Sequence, residues 1–181
     1  LPTKLLDNII SFNSRVHRET CEFRSFGHNG SPWEFNLRDV FRWCELLSTL
    51  ATPDDPIASA RFVRDLYQLR FRTSNDRETL ASTFEETFGI DLSLKSSMLS
   101  TSSHLSSIQI GTVLLKRASL ENDLRQGAAA PGDTSLVSLL EPMEAVARCI
   151  DRMWPCLLVG EASSGKASVV RTLAQLSNVS L

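Results

Sequence analysis

Apolar residues recur at helical spacing near the start of the chain: Leu5, Leu6, Ile9, Phe12, Asn13 and Val16 line one stripe, which predicts a first helix. The polar run from Arg18 to Gly30 reads as its exit into a loop. After Ser31-Pro32 a second helix is predicted, with Leu37, Val40, Phe41, Cys44 and Leu47 on its apolar face and Asp39, Arg42 and Glu45 opposite. Asn36 is placed to cap it, because a short side-chain oxygen there can accept a bond from an unsatisfied first-turn N–H. Beyond the Thr52 to Pro56 turn, Phe62, Leu66 and Leu69 mark a third helix. Asn75 with Glu78 then has the pattern of a capping box opening a fourth, which carries Leu80, Phe84 and Phe88. Residues 1–89 are therefore expected to form an all-α unit.

The pattern then changes. The stretch SLSLKSSMLSTSSHLSS has few large apolar residues to bury and is expected to be a linker over 90–107. Ile108, Ile110 and Leu114 alternate as in a short strand, and QGAAAPGDTS follows as a loop of turn-formers. Leu136, Leu140, Met143, Ala147 and Ile150 return to helical spacing, with Pro142 in the first turn, where its missing N–H costs little. Cys156 to Val159 then reads as a buried strand, and Val169, Leu173 and Leu176 as the inner face of a last helix. Residues 108–181 are expected to form a second unit that mixes strand and helix.

Between that strand and that helix lies GEASSGKAS, from Gly160 through Glu161, Ala162, Ser163, Ser164, Gly165, Lys166 and Ala167 to Ser168. Two glycines at this spacing allow successive N–H groups to point at one anion beside a helix N-terminus, and the lysine adds a mobile positive charge that can reach β- and γ-phosphates. Such a triplet arises by chance in roughly 5% of chains of this length, and the expected strand and helix around it lower that further. The nine residues are candidate ATP contacts. One position departs from the pattern: where GxxxxGK[ST] has a hydroxyl to ligate Mg²⁺, the chain has Ala167. Ser168 is displaced by about 100° around the helix. A loop that binds nucleotide but holds Mg²⁺ poorly, and turns it over slowly or not at all, is the expectation.

Composition narrows the rest. With 19 Lys+Arg against 21 Asp+Glu the formal net charge is -2, so no chain-wide basic field exists to hold a nucleic-acid backbone. No apolar run is long enough to span a bilayer, so neither nucleic acid nor membrane is an expected partner. Cys21, Cys44, Cys149 and Cys156 lack the spacing of a zinc site or a disulfide framework, which suits a reducing compartment. His17, His28 and His104 stand apart from any triad or metal pattern, and Trp33, Phe35, Phe41 and Trp43 are expected in the core rather than as a stacking platform. Arg15, Arg18 and Arg24 are interleaved with Glu19 and Glu22, as on a solvated face.

The segments HNGSPWEFNLRDVFRWCELL and FVRDLYQLRFRTSNDRETLASTFEETFG resemble the small helical lid of an AAA+ module of the midasin family of giant dynein-related ATPases. SSIQIGTVLLKRAS resembles the strand region that opens each module of that family, and MWPCLLVGEASSGKASVVRTLA its Walker A segment. The resemblance implies an α/β P-loop fold, as the lid of one module followed by an incomplete αβα core of the next, within a longer chain. It further implies a six-module ring that uses ATP in the nucleus and nucleolus to strip assembly factors from precursors of the large ribosomal subunit. Neighbouring modules of the same chain and the pre-60S particle are the partners it implies. By the family pattern Arg38 of NLRD occupies the sensor 2 position, where a guanidinium can meet a γ-phosphate; the alternative is a surface arginine on an amphipathic helix. The chain by itself lacks an apolar strand ending in paired acidic residues, so no independent ATPase activity is expected of it. A second reading makes it a non-catalytic ring scaffold with a vestigial loop.

Overall fold

The computed structural model describes residues 1–50, 56–92, 101–103, 106–118 and 139–177. The chain divides into two units, Leu1–Ser96 and Ser97–Leu181, and the division falls inside the serine-rich stretch.

The first unit is helical. Helix α1 (Thr3–His17) buries Ile9, Phe12, Asn13 and Val16, the stripe that its spacing predicts. The helix widens into a π-type turn over Arg18–Glu22, where the Thr20 hydroxyl donates to the Val16 carbonyl at 2.7 Å. Helix α2 (Leu37–Ser48) opens on a reciprocal cap: the Asn36 side chain accepts from the Arg38 N–H at 2.9 Å, and the Asp39 carboxylate accepts from the Asn36 N–H at 3.2 Å. Its buried face is Asp39, Val40, Trp43, Leu46 and Leu47. The expected face was rotated from this one, since Leu37 and Phe41 are 61% and 64% exposed and Asp39 is buried. Asp39 is drawn inward because it serves both the cap and an ion pair with Arg70 at 3.2 Å, a charge that burial would otherwise penalise.

Helix α3 (Pro56–Leu66) places Phe62 and Val63 in the core and leads through a 3-10 turn, Gln68–Arg70, into helix α4 (Ser74–Phe88). The cap of α4 is Thr73, whose hydroxyl accepts from the Asp76 N–H at 3.1 Å, so the helix begins before the expected Asn75. Asp76 is then free to accept the Gly27 N–H at 2.9 Å and so ties the loop before α2 to this helix. At the centre Phe12 lies edge-on to Trp43, Tyr67 and Phe84 at centroid distances of 5.7, 5.3 and 5.7 Å. Phe35 stacks on Tyr67, and the Arg70 guanidinium lies 4.4 Å from the centre of the Phe35 ring. Each of these fully buried rings contributes roughly 1.5–3 kcal/mol of transfer free energy. Phe35 and Trp43 are core, as expected; Phe41 is not.

In the second unit β1 (Thr101–Ser103), β2 (Ser107–Ile110) and β3 (Val113–Lys116) form an antiparallel sheet in that order, with Ile108 opposite Leu115 and Ile110 opposite Val113. β1 therefore lies within the expected linker. The single strand expected through Leu114 is a hairpin instead: the turn at Gly111 and Thr112 shifts the alternation, so that Leu115 faces the core and Leu114 is 59% exposed. Helices α5 (Leu140–Asp151) and α6 (Lys166–Ser177) close the core, with Met143, Val146 and Ala147 of one and Val169 and Leu173 of the other against Ile108 and Ile110. Ile150, expected on the inner face, is 50% exposed. Glu144, fully buried, accepts from the Thr112 N–H, the Thr112 hydroxyl and Arg148, which pins the hairpin turn to α5.

The strand expected over Cys156 to Val159 is not formed; residues 154–161 have neither helical nor strand pairing, and Leu157 is 86% exposed. Apolar alternation alone cannot make a strand, because its backbone groups must find a neighbour to pair with. The sheet seen among the described residues is three-stranded and antiparallel. The turn-former loop QGAAAPGDTS, Leu136 and His104 lie outside the described residues.

Candidate functional site

Loop 160–165 runs into the N-terminus of α6 at Lys166. Two residues take left-handed backbone conformations, Ser163 at φ 63° and Gly165 at φ 86°. For Gly165 a side chain is disfavoured twice over, by the positive φ and because a Cβ would lie 3.0 Å from Leu139 Cδ2, which would have to give way. Ser163 adopts the same conformation with a side chain in place, a strained choice for a residue other than glycine. The result is a tight curl, closed by the Ser164 N–H donating to the Glu161 carbonyl at 3.3 Å.

Lys166 turns back into this curl. Its ammonium donates to the Gly160 carbonyl at 2.9 Å, to the Glu161 carbonyl and to the Ser164 hydroxyl at 3.1 Å. These bonds are solvent-exposed, so each is replaceable by a stronger, charge-assisted acceptor such as a phosphate oxygen at small cost. The charge thus lies within the curl that leads into α6, and the start of a helix adds partial positive charge of its own. Gly160, Glu161, Ser164, Gly165 and Lys166 are brought together here; Ala162 and Ser163 form the exposed apex, and Ala167 and Ser168 stand exposed on the first turn of α6.

Magnesium does not fit this set of donors. Ala167 presents a methyl group at the position where the pattern has a ligating hydroxyl. Among the described residues no group of three or more His, Cys, Asp and Glu side chains could hold a metal ion.

Arg38 belongs to the first unit. It sits at the second position of α2, and its side chain, 58% exposed, pairs with Glu34 at 3.2 Å. A guanidinium held this loosely can reorient toward an incoming anion. What the residue pattern did not foretell is the role of Ser164 as a partner of Lys166 and the buried Glu144, Arg148 and Thr112 group. The i, i+4 spacing of Glu144 and Arg148 was the one available signal for the latter.

A family model described as the midasin AAA lid domain matches residues 1–91. Among curated proteins, the midasin of Dictyostelium discoideum is 32% identical in an alignment that covers 100% of this chain and 3% of that protein. The midasin of Giardia intestinalis is 28% identical, with 97% of this chain and 4% of the relative covered. The chain thus spans a small part of the length of these relatives. A lid-family match over 91 residues, with helices capped and packed as described, and whole-chain similarity that carries past the lid through the loop, lead to one conclusion: the chain belongs to the midasin family.

Proposed function

We propose that this chain serves as a lid and the beginning of the next nucleotide-binding core in an AAA+ ring that uses ATP to remodel precursors of the large ribosomal subunit and release assembly factors from them. The observation that carries the nucleotide part is the curl of residues 160–165 around the Lys166 ammonium at the start of α6. The Lys166 ammonium is held by exposed carbonyl and hydroxyl oxygens, and in this reading it exchanges them for phosphate oxygens while first-turn amides supply further donors. Gly160 and Gly165 keep side chains out of that approach; Glu161, Ala162, Ser163 and Ser164 supply its backbone; Ala167 and Ser168 offer first-turn N–H groups.

Work in such a ring is conformational. A nucleotide gripped by one core changes how a helical lid is held, and the change passes to a neighbouring module. Arg38, near the start of α2 and paired only loosely with Glu34, has the sensor 2 role in this reading: it would meet the γ-phosphate and report its presence. The partners are then neighbouring modules of the same chain and the pre-60S particle, and the place of action is the nucleolus and nucleoplasm. Hydrolysis in this reading is done elsewhere in the ring, since this loop lacks the hydroxyl that a metal-dependent reaction uses.

One observation favours a second reading, a ring scaffold with a vestigial loop: Ala167 in place of a hydroxyl residue. Lys166→Ala in the full-length protein separates the two. Loss of assembly-factor release from pre-60S particles, with protein abundance unchanged, is expected if the loop grips nucleotide; undiminished release favours the scaffold.

A further inference from the structure

We propose that the loop holds a nucleoside triphosphate without help from a divalent cation, the Lys166 ammonium and the Ser164 hydroxyl together making the polyphosphate contacts. This deepens the nucleotide reading above and rests on it.

At the position after the loop lysine the chain presents the Ala167 methyl group, which cannot ligate a cation. The hydroxyl that does enter the loop is Ser164: its Oγ lies 3.1 Å from Lys166 Nζ and packs so tightly over Gly160 that a Cβ there would come within 2.8 Å of it. Gly160 is thus the residue that lets this hydroxyl into the curl. The ammonium and the hydroxyl lie within hydrogen-bond distance of each other, and each can donate to an anion. Ser163 is at the exposed apex, and Ser168 is rotated about 100° along the helix from Ala167.

Linkage then sets the sign. A cation can raise the affinity for its nucleotide complex only by as much as the protein favours the bound metal. With the Ala167 methyl group at the position where the pattern has a ligating hydroxyl, the metal loses the protein oxygen that would favour its complex. It also neutralises part of the charge that Lys166 attracts. Free and metal-bound nucleotide are therefore expected to bind alike, or the free form somewhat better.

The test uses an ATP acyl phosphate, which acylates a lysine amine lying against the terminal phosphates. Full-length protein is labelled in Mg²⁺ or in EDTA, with and without competing ATP, and the acylated Lys166 peptide is quantified by mass spectrometry. Labelling that ATP competes and that differs by less than threefold between the two conditions is expected. A fall of more than threefold in EDTA overturns the inference while leaving the nucleotide reading standing. Absence of ATP-competed labelling in both conditions overturns the nucleotide reading itself. Ala167→Thr should make labelling depend on Mg²⁺ by more than threefold, and Ser164→Ala should lower labelling severalfold in EDTA; failure of the first removes Ala167 as the cause, and failure of the second removes Ser164 from the contact.

Discussion

The Lys166 ammonium lies 2.9 Å from the Gly160 carbonyl, so the charged end of the loop reaches back across the whole curl to its first residue. This closes the loop on itself and keeps the lysine where an anion would arrive. The bonds are exposed, and their strength in water is small. Lys166→Ala is therefore expected to leave the fold of the second unit intact and to abolish nucleotide protection of the loop. Circular dichroism and nucleotide binding on the same variant measure the two separately, and a variant that unfolds would contradict the first half.

Ser163 offers a direct measure of strain. At φ 63° it pays a left-handed penalty of roughly 1–2 kcal/mol that glycine would avoid. Replacing it by glycine removes that penalty but adds unfolded-state freedom. Ser163→Gly should range from neutral to a gain of about 1 kcal/mol, and the β-branched Ser163→Val should lose about 1–2 kcal/mol. Urea unfolding reads both, and equal stability of the two variants would remove strain from the account.

Phe12 holds the lid core together, with edge-on contacts to Trp43, Tyr67 and Phe84. Phe12→Ala should cost about 3–5 kcal/mol, the usual range for deleting a large ring from a packed core. Loss of the cooperative thermal transition of the first unit is the expected result, and a shift under 1 kcal/mol, in terms of the ~1.4 kcal/mol per tenfold scale, would show that the ring is not central.

Tyr67 is the chain's one tyrosine, fully buried, with its hydroxyl donating to Asn13 Oδ1 at 2.9 Å. Burial, and then the negative charge of Asp39, push its pKa far above the ordinary range. A raised folded pKa means that its contribution is fully present below the unfolded pKa of about 10 and is lost as pH rises above it. Tyrosinate absorbance should consequently appear together with alkaline unfolding, and not as a separate titration near pH 10. A free titration of the folded chain would contradict the buried placement.

Glu144 and Arg148 form a pair inside the second unit at 3.0 Å. Removing only the carboxylate, as in Glu144→Leu, leaves the guanidinium without it in a buried site and should cost about 3–5 kcal/mol. Adding Arg148→Met should restore most of that loss, because a matched apolar pair fills the same space without a charge to compensate. Additive losses in the double variant would mean that the two side chains act independently.

Much of this was legible in residue spacing, and the failures have separable causes. The stripe of Ile9, Phe12 and Val16 was readable because helical periodicity is local. The buried face of α2 was misread because Asp39 is pulled inward by the Asn36 N–H and by Arg70, a contact between positions far apart in the chain. The hairpin was missed as one strand because Gly111 sits within an apolar run, and a turn there changes which leucine faces inward. Strand pairing at Cys156 to Val159 depends on a neighbour that local pattern does not contain. Gly160, Gly165 and Lys166 declared the loop outright, whereas the Ser164 contact depends on how tightly the backbone curls.

In the proposed reading, the amides between Gly160 and Ser168 and the Lys166 ammonium grip a polyphosphate. Hydrogen–deuterium exchange of the full-length protein, followed on peptides covering residues 157–168 with and without saturating ATP, tests it at the atoms concerned. Slowed exchange of these amides with ATP is expected, as is loss of that protection in Lys166→Ala. Exchange over this segment that is the same with and without ATP would contradict it.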